Sequence, residues 1–241
     1  MNFNKLSLEV RHIRKSYGSQ LALADLNFNL QPNKILGFLG PNGAGKSTAL
    51  KIIAGYMAAD EGQIFLNQCP FNGVDIELKS KIGYLPESNP LYPDMYISEY
   101  LDFIAELYQI RDSQNTIKTL LTDIGLNAQL NKKIGQLSKG YQQRVGLCQA
   151  LISKPELLLL DEATNGLDPN QVIEIRNLIK QYAAGSMVIF STHLLEEVES
   201  LCDEVLILVD GKVKLHAGLE ELKIKTPEKT LGEIFKVITS A

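Results

Sequence analysis

The segment Gly40-Pro41-Asn42-Gly43-Ala44-Gly45-Lys46-Ser47-Thr48 constrains this chain more than any other. It fits the pattern G-x-x-x-x-G-K-[ST], and it stands where that pattern has physical meaning. The apolar run Ile35–Leu39 before it reads as a buried strand; Leu50, Ile52 and Ile53 after it read as one side of a helix. Glycines let the backbone curl so that successive N–H groups point inward. The helix start adds unpaired N–H groups and the positive end of its dipole. Such a ring of donors suits a polyphosphate. Lys46 can reach the β- and γ-phosphates, the Ser47 hydroxyl can ligate Mg²⁺, and Thr48 can hydrogen-bond a phosphate oxygen.

A loop that grips a nucleoside triphosphate needs an acid for the metal and another for the water. Leu157-Leu158-Leu159-Leu160-Asp161-Glu162 supplies both at the end of a buried-strand pattern. An acid at the C-terminal end of a strand lies at the crevice where α/β folds bind ligands. Asp161 is expected to hold Mg²⁺ through water, and Glu162 to orient or deprotonate an attacking water.

Composition narrows the field. The chain has 241 residues, 45% of them apolar, enough for a full core. With 28 acidic against 24 basic residues it lacks the basic balance that duplex nucleic acid demands, so no nucleic-acid partner is expected. No apolar run approaches a bilayer span, and Met1 to Val10 holds no signal-peptide core. Cys69, Cys148 and Cys202 are far apart and odd in number, which argues for a reducing compartment and against a zinc site.

The expected fold class is α/β: a mixed-sheet core with an N-terminal antiparallel part and an inserted helical subdomain. Residues 8–39 read as several strands, with Leu8, Val10 and His12 alternating with polar neighbours. Short apolar runs at Ile64–Leu66, Ile82–Leu85, Leu157–Leu160, Met187–Phe190 and Val205–Val209 suit buried strands. The expected core is 1–87 and 156–218, the helical subdomain about 88–155, and a C-terminal helical segment 219–241. Ser98 is expected to cap a helix carrying Leu101, Ile104, Leu107 and Tyr108; Ile117–Ile124 is a second helix stopped by Gly125. Asp168-Pro169 is an N-cap followed by proline at the first helical position, and Asp210-Gly211 reads as a tight hairpin turn.

Leu137-Ser138-Lys139-Gly140-Tyr141-Gln142-Gln143-Arg144, a loop opening a helix, is weak alone. Its place between the phosphate loop and the acids gives it meaning. From Leu6 to about Val213 the chain resembles the ATP-binding subunit of ABC transporters, with every motif in family order. The resemblance implies an ATPase with ATP and Mg²⁺ as cofactors. Ser138 and Gly140 match the LSGGQ pattern, which in that family completes the ATP site of the opposite subunit. Lys139 stands for a glycine and Tyr141 for the glutamine. Lys139 either adds positive charge near the γ-phosphate or points to solvent.

Other roles carry over one position at a time. Tyr17 resembles the aromatic residue that stacks on adenine, or else packs in the sheet. His193 resembles the switch histidine that contacts the γ-phosphate. Asp168, in Gly166-Leu167-Asp168, resembles the loop that crosses the dimer interface and also caps its own helix. Glu87 stands where many relatives carry the glutamine that faces Mg²⁺. Tyr84–Glu87 and Pro90–Tyr96 look most like cassettes of the ABC-2 exporter group, especially those associated with bacterial gliding motility, and Leu231–Phe235 is similar to the closing helix of ABC-2 cassettes.

The resemblance implies a homodimer or pseudo-homodimer that clamps ATP and drives a separate transmembrane permease from the cytoplasmic face of the inner membrane. Two other readings are a soluble ABC-type ATPase of DNA repair or translation and a degenerate ATP-binding clamp. The single phosphate loop without long heptads opposes the first, and intact Lys46, Asp161, Glu162 and His193 oppose the second.

Overall fold

The computed structural model describes residues 6–226 and 229–240. The expectations for residues 1–5, and for 227, 228 and 241 within the C-terminal segment, lie outside the described residues. The first strands are β1 (Leu8–Tyr17), β2 (Gln20–Leu30) and β3 (Lys34–Leu39), followed by α1 (Lys46–Ile53). Then come β4 (Glu61–Leu66), β5 (Cys69–Phe71), α2 (Ile76–Ser80) and β6 (Ile82–Leu85). Between β6 and β7 the described elements are α3 (Ile97–Leu107), α4 (Ser113–Asp123), two single 3₁₀ turns, and α5 (Lys139–Leu151). The rest is β7 (Leu157–Asp161), α6 (Pro169–Ala183), β8 (Met187–Thr192), α7 (Leu195–Leu201), β9 (Glu204–Val209), β10 (Lys212–Gly218), α8 (Leu219–Lys225) and α9 (Leu231–Thr239).

The strands form one ten-stranded sheet in the order β5-β4-β1-β2-β10-β9-β3-β8-β7-β6. The half formed by β9, β3, β8, β7 and β6 is parallel, while β1 pairs antiparallel with β2 and β4. The parallel strands are apolar throughout because both of their faces are covered. Successive side chains point to opposite faces. Leu158, Leu160, Val188 and Phe190 accordingly join the core shared with α3, α4, α5 and α6. Leu157, Leu159, Met187 and Ile189 join the core beneath α1 and the antiparallel strands.

Register positions the ends of the strands. Leu39 pairs with Thr192 and Asp161 pairs with Ser191. The loops after β3, β7 and β8 therefore leave the sheet at one edge, side by side. This brings Gly40, Glu162 and His193 together although they are far apart in sequence.

Two local expectations are corrected. His12 does not continue the alternation of Leu8 and Val10. It sits exposed at a bulge with φ +51°, and Ile13 takes the inward place. Ser98 does not cap α3; the helix starts at Ile97, and the Glu99 carboxylate accepts from the Tyr96 N–H at 3.0 Å. A glutamate three residues beyond the cap closes on that cap's backbone, which fixes the start at Tyr96. Finally, β5 and α2 escape sequence reading because they are short. Pro70 is tolerated because β5 is an edge strand, and α2 is set by Asp75, whose carboxylate accepts from the Leu78 N–H at 3.1 Å.

Leu159, fully buried in the middle of β7, has no room to relax when shortened. Leu159→Ala should cost about 3 kcal/mol. A urea titration should show a lower midpoint with an unchanged slope.

Candidate active site

The phosphate loop runs from β3 into α1 and is held by close backbone approach. A Cβ on Gly40 would lie 2.3 Å from the Leu208 carbonyl oxygen. One on Gly45 would lie 2.5 Å from that of Ala22, and Gly45 also has φ +105°. Only glycine fits both positions. Lys46, 6% exposed, curls back over the loop. Its Nζ donates to the carbonyls of Gly40 at 2.7 Å and Pro41 at 3.2 Å. Burial lowers the Lys46 pKa, while the charges of Glu162, Asp161 and Glu87 oppose that shift.

Asp161 ends β7 and is 2% exposed. Burial raises its carboxyl pKa; the hydroxyls of Ser47 and Ser191 act in the opposite direction, Glu87 adds to the rise and Lys46 opposes it. Its Oδ1 is buried without a hydrogen-bond partner. Glu162 has φ +52°, a strained backbone for a residue with a side chain. Its N–H donates to the Ser191 carbonyl at 3.1 Å, which anchors the turn to β8. Both Glu162 carboxylate oxygens lie 3.0 Å from Nδ1 of His193. A carboxylate only accepts, so Nδ1 carries the proton.

These groups line a cleft of about 480 Å³. Its walls are Tyr17, Asn42, Gly43, Ala44, Gly45, Lys46, Ser47, Thr48, Glu87, Glu162 and His193. Gly40 and Pro41 lead into it, and Asp161 lies buried at the strand end between Ser47 and Ser191. Tyr17 is half exposed at the rim, and its hydroxyl donates to Met57 Sδ at 3.0 Å. Gln20, Ala22 and Asn165 also line the cleft and were not read from sequence. Gln20 follows Tyr17 across the β1–β2 turn. Asn165 closes a turn on Glu162, its N–H donating to the Glu162 carbonyl at 3.0 Å. A second crevice of similar size, about 510 Å³, lies between α4 and Ser186 and contains none of these groups.

Ser138, Lys139, Gly140 and Tyr141 are not in the cleft of their own chain. Ser138 caps α5, its hydroxyl accepting from the Tyr141 N–H at 3.5 Å. Tyr141 faces the Arg144 guanidinium, 5.6 Å from the ring centre. Lys139 lies along the Gly166 turn, where a Cβ on Gly166 would sit 2.8 Å from its Nζ. Gly140 packs against Gln171, and Asp168 caps α6 by accepting from Asn170 N–H at 3.1 Å and Gln171 N–H at 3.0 Å.

A protein-family model described as ABC transporter matches residues 23–165. The chain belongs to the ABC transporter family as an ATP-binding subunit. Its sequence is 34% identical, over 90% of this chain and 94% of the relative, to the lantibiotic transport ATP-binding protein SrtF of Streptococcus pyogenes. A solved ATP-binding subunit of an ABC transporter superposes with a TM-score of 0.86 at 28% identity, covering 96% of this chain and 98% of that one. The dimeric ATP-binding cassette MJ0796, in a post-hydrolysis state with ADP and Pi, superposes with a TM-score of 0.80 at 27% identity, covering 88% and 98%. ABC ATP-binding subunits are ATPases that dimerise and pair with transmembrane subunits. Among the described residues of this subunit, no helix is long and apolar enough to cross a membrane.

The cleft of this ABC subunit sets one lysine among three acids, one of them buried. Asp161→Asn removes the buried charge and keeps the shape. It should raise the melting temperature of the nucleotide-free chain by a few degrees, read by calorimetry, while weakening ATP hydrolysis.

Proposed function

We propose that this ATPase powers an ABC-2 type exporter, as two copies that close on ATP. The observation that carries the reading is the division of the ATP-gripping parts. One cleft holds the phosphate loop, Glu162 and His193, while Ser138–Tyr141 stand outside it on the same chain. A second copy supplies Ser138 and Gly140 to the exposed side of the phosphates, where the N-terminus of α5 adds its positive dipole end. Asp168 lies at the same interface.

Within one half-site, Tyr17 offers its ring to adenine, and the N–H groups from Gly40 to Thr48 surround the phosphates. Lys46 exchanges its loop carbonyls for phosphate oxygens. The unpartnered Oδ1 of Asp161, the Ser47 hydroxyl and the Glu87 carboxylate are hard oxygen donors that suit Mg²⁺. An ion held by these residues would supply positive charge against the phosphates. Glu162 takes a proton from the attacking water. His193 steadies Glu162 through Nδ1–H and turns its other edge to the γ-phosphate. After hydrolysis, ADP and phosphate repel one another and the clamp opens.

The helices between about 88 and 155 serve as a subdomain that passes this motion, with the Glu87 loop, to a permease. Among the described residues, 6–87 and 156–218 form the core, and those from 219 to 240 the C-terminal segment. The working place is the cytoplasmic face of the inner membrane. Export is supported by the likeness to SrtF, a lantibiotic transport protein by name. A place among gliding-motility cassettes rests on the sequences Tyr84–Glu87 and Pro90–Tyr96 alone.

Glu162→Gln should lower ATP turnover at least about 100-fold while ATP still binds. Light scattering should then find a dimer with ATP and Mg²⁺, and adding Ser138→Arg should return it to monomer. Full turnover in Glu162→Gln, or a dimer that survives Ser138→Arg, would refute the reading.

A further inference from the structure

Glu197 carries an ionisable group 3% exposed, and it takes no part in the mechanism above. It sits in the first turn of α7. One carboxylate oxygen accepts from the Thr164 hydroxyl, and the other accepts from the Thr192 hydroxyl. Arg176 of α6 approaches the first oxygen at 3.7 Å and supplies the opposite charge. Thr164 follows Glu162 by two residues, and Thr192 directly precedes His193. The Thr192 hydroxyl also accepts from the Leu194 N–H at 3.1 Å, so the backbone is tied on both sides of His193.

We infer that Glu197 is a positioning residue, a buried brace that fixes the turn of Glu162 to the turn of His193. This rests on the roles given above to Glu162 and His193. Two contacts join these turns nearer the cleft: the Glu162 N–H to the Ser191 carbonyl and the Glu162 carboxylate to His193 Nδ1. The first holds only backbone. The second joins two side chains, one of them, His193, 44% exposed, and leaves their distance from the phosphates undetermined. The Thr164–Glu197–Thr192 bridge fixes that distance from beneath, inside the core. A carboxylate suits the task because one oxygen accepts from the turn after β7 and the other from the end of β8, and neither competes as a donor. The strained φ of Glu162 needs such support, since a strained residue persists only where its surroundings overdetermine it.

The test compares steady-state turnover and ATP binding of the full chain carrying Glu197→Gln, Thr192→Val, Thr192→Ser or Glu162→Gln. Glu197→Gln and Thr192→Val should lower kcat by roughly tenfold or more, with KM and the ATP Kd within about twofold of wild type. Thr192→Ser keeps the hydroxyl and should keep the rate. His193→Ala should cost much less in the Glu197→Gln background than alone, because one geometry is lost only once. An unchanged kcat in Glu197→Gln, or a loss that merely follows the folded fraction, overturns the brace. If Glu197→Gln does not fold, an unchanged kcat in Thr192→Val overturns it instead. Glu162→Gln separates the two failures: full turnover there overturns the catalytic reading and the brace with it, whereas an inactive Glu162→Gln beside an unimpaired Glu197→Gln overturns the brace alone.

Discussion

A single buried lysine facing three carboxylates is the interaction on which the rest of this structure depends. Lys46 lies over the phosphate loop, and Asp161, Glu162 and Glu87 all act on its charge. The surplus of acid is costly in an empty cleft, since Asp161 is buried with one oxygen unpaired. The same surplus suits a triphosphate accompanied by a divalent cation, whose positive charge relieves it. Stability and chemistry thus oppose one another at Asp161.

The sheet makes that charge arrangement possible. Its parallel strands are held in register by cores on both faces, and alternate leucines of β7 serve each core. A slip of one residue between β7 and β8 would turn Leu158 and Leu160 to the wrong face. Packing therefore fixes register, and register fixes where Gly40, Glu162 and His193 leave the sheet. The loops need only short connections to meet, and buried Glu197 links the turn after β7 to the end of β8.

The signature segment obeys a different logic. Ser138 is spent on capping α5, Gly140 on approach to Gln171, and Lys139 on covering Gly166. Of the two alternatives for Lys139, exposure describes its place in the single chain, with the end of its side chain near Gly166. It lies against the turn that leads to Asp168, so the two segments proposed to face a partner touch one another within the single chain.

Much of this was legible in the linear chain where chemistry is local. The phosphate loop, the Leu157–Asp161 strand, the Asp168-Pro169 helix start and the Asp210-Gly211 hairpin each depend on neighbours within a few residues, and their patterns survive in one dimension. The start of α3 and the bulge at His12 were misread because several residues compete for each place, and the tertiary fit decides among them. Asn165, Gln20 and Glu197 carry no local signature: an isolated Glu in Leu195–Leu201 looks like a solvated helix face until two distant threonines close around it. The sequence by itself determined which groups are proposed to bind phosphate and activate water. Tertiary structure alone decided their mutual distances and the burial that shifts Asp161 and Lys46, because both arise from strands that are not neighbours in the chain, β3 pairing with β8 and β8 with β7.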